Sequence, residues 1–133
     1  MTDEAKSLHV ELVAADRLVW SGQATRVIAR TTEGDVGILP NHAPMLSLMV
    51  DGVVDVLTTD DETWVAAVDA GFLSVAHNRV SILSEHAEMS HEIDLERARH
   101  ELERARESGE NDDEAESRVR RLEARVRAAE KAG

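Results

Sequence analysis

The chain has 133 residues and no cysteine, so it forms one domain or a small domain with an appendage, without disulfides or thiolate metal ligands. Its formal net charge of −12 argues against a nucleic-acid backbone or an anionic membrane surface as the direct partner. No apolar run approaches the roughly 18 residues of a membrane span, and the N-terminus lacks a basic-then-apolar signal pattern, so we expect a soluble protein that stays in the compartment where it is made.

The first 89 residues predict short β-strands separated by polar turns. The segment Leu8–Leu12 alternates with period two, which indicates a half-buried strand ending near Ala14. The remaining strands are predicted at 18–20, 27–29, 45–50, 53–57, 64–68, 72–76 and 80–83, with a break at Ser21-Gly22 and a β-hairpin turn at Asp51-Gly52. Strands of this length at regular spacing, with Gly, Asp and Asn in the turns, are typical of a β-sandwich.

Between the third and fourth of these strands, residues 34–44 read Gly-Asp-Val-Gly-Ile-Leu-Pro-Asn-His-Ala-Pro and contain both prolines of the chain. Pro40 and Pro44 restrict the backbone on either side of Asn41 and His42. A stiff polar tip loses little entropy when it docks. We therefore interpret this loop as an exposed contact, with solvated turn residues as the alternative.

The hydrophobic period changes after Ile93, which predicts two helices. Leu95, Ala98, Leu102 and Ala105 form one narrow apolar stripe, and Ser108-Gly109 ends that helix. Asp112 or Asp113 is the predicted N-cap of the second helix, with Glu116 completing a capping box, and its stripe consists of Ala115, Val119, Leu122, Val126 and Ala129. Two stripes of matching length predict an antiparallel helical hairpin, which is marginally stable unless it docks.

Charge and composition place the domain boundary near Met89. Positions up to 89 hold 14 acidic and 5 basic residues, whereas positions 90–133 hold 13 acidic and 10 basic residues with both signs interspersed. The bulky apolar residues belong almost entirely to the first part. We predict an N-terminal β-sandwich over 1–89 and a C-terminal helical hairpin over 90–133.

The eleven residues 34–44 resemble the signature loop of the epsilon subunit of F-type ATP synthases, and the resemblance extends over almost the whole chain. It implies a flattened sandwich of about ten strands followed by a two-helix hairpin. It further implies a non-catalytic central-stalk subunit that joins the gamma subunit to the proton-driven rotor ring of c subunits. The hairpin would restrain ATP hydrolysis when it extends towards the catalytic alpha and beta subunits. Such a subunit would lie at the cytoplasmic face of the bacterial cell membrane and touch the membrane only through the complex.

The resemblance also assigns site residues. The loop would rest on the rotor ring through Asp35, Asn41 and His42. The segment Ile93-Asp94-Leu95-Glu96-Arg97-Ala98 matches the nucleotide-binding motif of the family, and no cofactor is required, although ATP is a candidate regulatory ligand. The candidate nucleotide-binding residues are Glu88, Ile93, Asp94, Arg97, Ala98, Arg104, Arg121 and Arg125.

Spacing supports a shared site for several of these arginines. Arg97 and Arg104 are two helical turns apart and lie on one face, about 10 Å apart along the axis. Arg121 and Arg125 share a face of the second helix, and guanidinium groups suit phosphate. The alternative is a solvated ion-pair face, because Asp94–Arg97, Glu103–Arg106 and Glu123–Arg127 have ordinary helical pair spacings.

Other chemistry finds little support in the sequence. The six histidines lack metal-ligand spacing, and no nucleophile motif, phosphate loop or dinucleotide fingerprint is present. We predict no catalytic and no metal-binding residues. Two rival interpretations are a free-standing ATP-sensing module on a β-sandwich scaffold and a small cupin-like enzyme.

Overall fold

The computed structural model describes residues 6–109 and 111–132, which form a β-sandwich followed by two helices. The strands are β1 (Leu8–Ala14), β2 (Leu18–Thr31), β3 (Gly34–Ile38), β4 (Met45–Met49), β5 (Gly52–Thr58), β6 (Thr63–Val68), β7 (Gly71–Ala76), β8 (Arg79–Ser84) and β9 (Ala87–Met89). A single 3-10 turn (Ser90–Glu92) leads to helix α1 (Leu95–Glu107) and helix α2 (Asp113–Ala132). The predicted sandwich and helical hairpin are confirmed, with nine strands in the described residues in place of about ten.

The strands follow the order β1-β8-β7-β4-β2-β5-β6-β9, with β3 paired to β2 and a further pairing of β1 with β2. The pairing of β1 with β8 is parallel and the other pairings are antiparallel. The inward-facing residues of the strands form one apolar core, in which Leu8, Ile38, Leu73 and Ile82 have no exposed side-chain surface. Burial of this set is the main stabilising contribution to the sandwich.

Strand β2 corrects two sequence predictions at once. The predicted strands at 18–20 and 27–29 are parts of one 14-residue strand, and Ser21-Gly22 does not break it. Gly22 pairs with Val10 of β1, and its missing Cβ leaves room for the Trp20 ring, which a Cβ would approach to 2.9 Å. Partner strands on both sides outweigh the low strand propensity of glycine.

The predicted hairpin at Asp51-Gly52 is also wrong. Strand β4 pairs with β7 and β2, whereas β5 pairs with β2 and β6, so the Asp51-Gly52 turn joins strands that are not neighbours. The Asp51 carboxylate instead accepts a hydrogen bond from the Ala70 backbone N–H at 2.8 Å. The turn therefore crosses between the two layers at the edge of the sandwich.

The first half of the predicted loop is a strand, and a short ninth strand lies at the domain boundary. Residues 34–38 form β3 against β2, so only residues 39–44 remain irregular. Strand β9 ends at Met89 after pairing with β6, and the 3-10 turn that follows carries the chain to the helices.

Helix α2 packs between α1 and the outer face of β5 and β6. Leu122 lies on the predicted stripe and is buried, but the structure also buries Ala124 and Ala128, which the stripe omits. These two alanines contact Val65 and Ala67 of β6 in a second, smaller apolar cluster. Small side chains on this face allow the helix to approach the sheet closely.

Candidate functional site

The tip of the proline-containing loop is a type II turn. The His42 backbone N–H donates to the Leu39 carbonyl at 3.2 Å, Pro40 occupies the second position, and Asn41 has a φ of 69° at the third. That turn requires a residue that tolerates positive φ after the proline, which asparagine does. The local sequence Leu39-Pro40-Asn41-His42 therefore determines the shape of the tip.

The Asn41 side of this turn is tied to the β7–β8 turn. The Asn41 N–H donates to the Asn78 side-chain oxygen, and the Asn78 amide donates to the Asn41 side-chain oxygen at 3.3 Å. Asn41 is exposed, whereas His42 is only half-exposed, with its Nδ1 2.7 Å from the Ala43 carbonyl oxygen. The tip is therefore braced by a second turn, and His42 is partly covered within it.

Asp35 lies away from that tip. It pairs with Arg30 in the β2–β3 register, next to the turn that opens β3, while the tip follows the other end of the strand. The Arg30 Nε donates to Asp35 Oδ1 at 2.9 Å, and hydrogen bonding by Arg30 lowers the pKa of the Asp35 carboxyl. The positive charges of Lys131 and Arg127 on α2 act in the same direction. The three predicted ring-contact residues therefore do not form one cluster.

The motif at the start of α1 performs structural tasks in this conformation. The Asp94 carboxylate accepts the Arg97 backbone N–H at 3.2 Å and caps the helix. Ile93 and Ala98 are buried in the apolar cluster between helices and sheet. Their burial and the cap explain why the helix begins at Leu95, and the exposed Arg97 side chain pairs with Glu101.

A chain of alternating charges links β9 with both helices. The Arg125 Nη2 donates to Glu88 Oε2 at 3.2 Å, and the Arg125 Nε lies 3.0 Å from Glu88 Oε1. On its other side, the Arg125 Nη1 lies 3.9 Å from Glu101. Glu101 also accepts a hydrogen bond from the Arg97 Nε at 3.0 Å. The structure thus brings Glu88, Arg97 and Arg125 together through Glu101.

Glu101 was not predicted as a site residue, although its position four residues after Arg97 is the available signal. Two other suggested helical pairs are replaced by one contact between the helices, because Arg106 donates to Glu123 at 3.1 Å. Helical spacing therefore identified residues that form ion pairs, but it did not identify which residue each of them pairs with.

Arg104 and Arg121 lie at the two margins of this charge chain. Arg104 lines a shallow depression between the helices together with Glu101, Ala105 and Arg118. Arg121 faces the sandwich, where its charge acts on Asp69. Of the eight predicted nucleotide residues, three are buried or capping (Ile93, Asp94 and Ala98), three belong to the charge chain (Glu88, Arg97 and Arg125), and two lie beside it (Arg104 and Arg121).

The outer face of the other sheet layer presents an apolar row that sequence analysis did not identify. Leu48 pairs with Phe72, Phe72 with Leu83, and Leu83 with Val13, whose β2 partner is Leu18. The members of the row are between 48% and 57% exposed except for the half-buried Val13, and Leu46 beside the row is 72% exposed. We call Leu18, Val13, Leu83, Phe72 and Leu48 the apolar row.

An apolar row of this extent across five neighbouring strands is unusual on a free surface. A cleft of about 780 Å³ adjoins its end, between Leu48, Phe72 and the Arg120 and Arg127 side of α2.

Two further kinds of site can be assessed within the described ranges. No three His, Asp or Glu side chains there are arranged to hold a metal ion. None of the helices described combines the length and apolar character needed to cross a bilayer.

Comparison with known proteins gives consistent results. The family model of the ATP synthase delta/epsilon chain β-sandwich domain matches residues 7–90. The ATP synthase epsilon chain of Streptomyces avermitilis is 57% identical over 97 residues, covering 73% of this chain and 78% of that one. The corresponding chain of Rhodococcus opacus is 50% identical over 93 residues, covering 69% and 76%.

Among solved structures, a chain of the Euglena gracilis mitochondrial ATP synthase (OSCP/F1/c-ring) aligns with a TM-score of 0.79 at 22% identity, covering 98% of this chain and 84% of that chain. A chain of the Tetrahymena thermophila mitochondrial ATP synthase central stalk and c-ring aligns with a TM-score of 0.57 at 16% identity, covering 98% of both. At these identities the likeness shows a shared fold.

Proposed function

The chain belongs to the ATP synthase epsilon chain family, and from that premise we propose that it joins the gamma subunit to the proton-driven ring of c subunits in the central stalk. The membership agrees with the resemblance of residues 34–44 and with a subunit that does no chemistry itself. In this role the protein supports ATP synthesis coupled to proton transport. It lies at the cytoplasmic face of the bacterial cell membrane and reaches the membrane only through the complex.

The apolar row is the observation on which the gamma contact rests. A sheet face that leaves Leu48, Phe72 and Leu83 half-exposed in register has apolar surface that a partner can bury. The helical hairpin covers β5 and β6, so this face is available while the hairpin is docked. We assign it to the gamma subunit.

Introducing charge into the row tests this assignment. Leu48→Lys combined with Phe72→Glu should change the free energy of unfolding little, because both side chains are half-exposed and the new charges are opposite in sign on paired residues. The double variant should nevertheless abolish co-purification with gamma and the catalytic hexamer from native membranes. Thr63→Glu, an exposed β6 position, adds charge to the other layer and should leave co-purification intact. Retention of the double variant in the complex at the wild-type level would remove the row from the gamma interface. Failure of the wild-type chain to co-purify would instead favour a free-standing ATP-sensing module.

The braced tip is the candidate contact with the c ring. Asn41 and His42 project from a type II turn that the Asn78 bonds hold in place, so the tip is already ordered before it docks. Asp35 does not share this position and is not included in the proposed contact.

We expect His42→Ala to lower proton-driven ATP synthesis by the reconstituted complex while the thermal unfolding midpoint of the isolated protein changes little. The matched control is His77→Ala at the neighbouring β7–β8 turn, an exposed histidine outside the loop. Equal synthesis rates for wild type and His42→Ala would contradict a coupling role for that side chain.

The hairpin is the proposed regulatory element. Docked on the sheet, it is compact, and we propose that it also extends along gamma towards the alpha and beta subunits and there restrains ATP hydrolysis. ATP, when bound by the compact form, shifts this equilibrium only by its differential affinity for the two states. Arg97, Arg104, Arg121 and Arg125 are the proposed phosphate ligands, and Arg125 must exchange Glu88 for phosphate to take part.

A further inference from the structure

Helix α2 is held to the sandwich by ion pairs of a single polarity. In the described part of the chain, three ion pairs join α2 to the sandwich. In each of them the basic side chain belongs to the helix and the acidic side chain to the sandwich. They are Arg120 Nε to Asp51 Oδ2 at 3.7 Å, Arg125 Nε to Glu88 Oε1 at 3.0 Å, and Lys131 Nζ to Asp55 Oδ2 at 2.8 Å. We call Asp51, Asp55 and Glu88 the carboxylate row.

The charge of α2 reverses on the side that faces α1. There Glu123 accepts from Arg106 at 3.1 Å and Glu130 from Arg99 at 2.8 Å. The second helix therefore presents cations to the sandwich and mainly anions to the first helix. This segregation specifies which face of α2 docks, because a rotated helix would oppose like charges.

The carboxylates border the apolar contact directly. Asp55 pairs with Val65 across β5 and β6, and Glu88 pairs with Ala67 across β9 and β6, while Val65 and Ala67 contact the hairpin. The side chains of Asp51 and Asp55 are only 9% and 18% exposed, so salt screens their pairs less than it screens fully exposed ones.

The apolar part of the contact is small. The helix contributes mainly Ala124 and Ala128 to it, and a buried alanine removes little apolar surface from water. Without their carboxylate partners, Arg120, Arg125 and Lys131 would leave three unneutralised cations at the border of this small contact. Charge therefore has a larger share in docking here than in an ordinary helix–sheet contact.

We propose that the carboxylate row is an electrostatic latch that keeps the hairpin compact without any bound nucleotide. The carboxylates hold helix cations, including the Arg125 that a phosphate would otherwise engage. This inference rests on the proposed function in one respect, namely that the hairpin also has an extended state. Charge screening opens the latch, whereas apolar contact alone would be strengthened by salt.

The test measures hairpin docking in the full-length isolated chain, in nucleotide-free buffer. Because the chain contains no cysteine, Ser21→Cys and Glu107→Cys provide two unique, exposed spin-label positions, one on β2 and one at the end of α1. Pulsed electron spin resonance then resolves a docked population with one defined distance from an undocked population with a broad distribution.

Reversing the charge of two members of the carboxylate row, by Asp55→Lys with Glu88→Arg, should raise the ratio of undocked to docked hairpin by on the order of tenfold. Adding Lys131→Asp and Arg125→Glu, together with Glu101→Gln to remove the acid that faces position 125 from α1, restores opposite charges at both positions and should return the ratio towards wild type. Matched controls are Glu33→Lys on the sandwich and Arg118→Glu on α2, which are exposed and make no pair with the opposite element among the described residues.

The effect of salt on hairpin docking should have opposite signs in the wild type and in the reversal variant. Raising NaCl from about 0.05 M to about 1 M should undock the wild-type hairpin but favour docking in the reversal variant, since there it screens repulsion. The same sign in both, or a reversal variant docked as in wild type, would overturn the latch. If the reversal variant fails to fold, the charge-swapped variant decides: an undocked hairpin there refutes the pairing. Co-purification with gamma is a separate measurement, so failure of the latch is distinguishable from failure of the stalk role.

Discussion

At the scale of single residues, Asp69 is a carboxyl group whose pKa the folded protein raises. Burial is the main cause of its raised pKa, and the negative charges of Asp51 and Glu88 raise it further. Arg121 on α2 and His86 oppose these effects without cancelling them. The ionised form of Asp69 is therefore disfavoured in the folded protein.

The raised pKa leads to a prediction for the pH dependence of stability. An acid with a higher pKa in the folded state contributes most when protonated, and this contribution is lost as the pH rises from the ordinary aspartate value through the raised one. Asp69→Asn cannot ionise, so its thermal midpoint should exceed that of wild type at pH 7 by more than at about pH 4.

The difference between the two melting curves across that range is the measurement, since all other groups are common to both proteins. Thr59→Asn, at an exposed turn position, changes no ionisable group and is the control, which should give a difference independent of pH. A pH-independent difference for Asp69→Asn as well would show that burial does not disfavour its charge.

At the scale of elements, α1 combines structural and candidate ligand roles within one motif. Asp94 caps the helix, Ile93 and Ala98 bury against the sheet, and Arg97 pairs with Glu101 at the surface. Because the cap and the apolar contacts are intramolecular, a match to a nucleotide motif does not by itself require a nucleotide. The exposed Arg97 is the position at which the two roles can be separated.

Calorimetric titration with ATP makes that separation. If the compact hairpin binds ATP, Arg97→Ala should weaken binding by about 10- to 150-fold, corresponding to about 1.5–3 kcal/mol for a hydrogen bond to phosphate. Arg125→Ala should weaken it less, since Glu88 already engages that guanidinium.

Arg79→Ala, an exposed arginine on β8 of the sandwich, is the matched control and should bind as wild type does. Absence of heat at millimolar ATP would return these arginines to an ion-pair face. Equal affinity of wild type and Arg97→Ala would place the nucleotide elsewhere.

At the scale of the whole molecule, two apolar clusters divide the chain. The larger one lies inside the sandwich, and the smaller one joins Val65 and Ala67 to the hairpin. Strand β9 completes its pairing with β6 at Met89, before the 3-10 turn begins. Among the residues that the structure describes, the main core thus contains none from the helices.

Ending the chain after Met89 should therefore leave a folded sandwich that still assembles with gamma. Its thermal midpoint should fall, because the hairpin no longer covers Val65 and Ala67. ATP hydrolysis by the complex should rise, since the proposed restraining element is absent. Circular dichroism of the truncated protein and hydrolysis by the reconstituted complex are the measurements. An unfolded fragment would show that the hairpin completes the core, and lower hydrolysis would contradict its restraining role.

The sequence alone determined the features that depend on residues close together in the chain. Pro40 and Asn41 specify a type II turn, and Asp94 caps α1 by accepting the backbone N–H three residues ahead. The period change after Ile93 predicts the hairpin. Each of these rests on local geometry, which neighbouring residues impose on one another. The similarity of residues 34–44 to a known loop likewise requires no knowledge of the fold.

Tertiary structure decided which distant residues meet. Strand β2 passes through Gly22 because β1 pairs with it, and the strands on either side of Asp51-Gly52 belong to different layers. Arg125 pairs with Glu88, 37 positions away, and with Glu101 on the other helix, whereas no residue three or four positions from Arg125 is acidic. Propensity and periodicity describe a segment in isolation, whereas strand pairing and ion pairing depend on which surfaces the folded chain buries together.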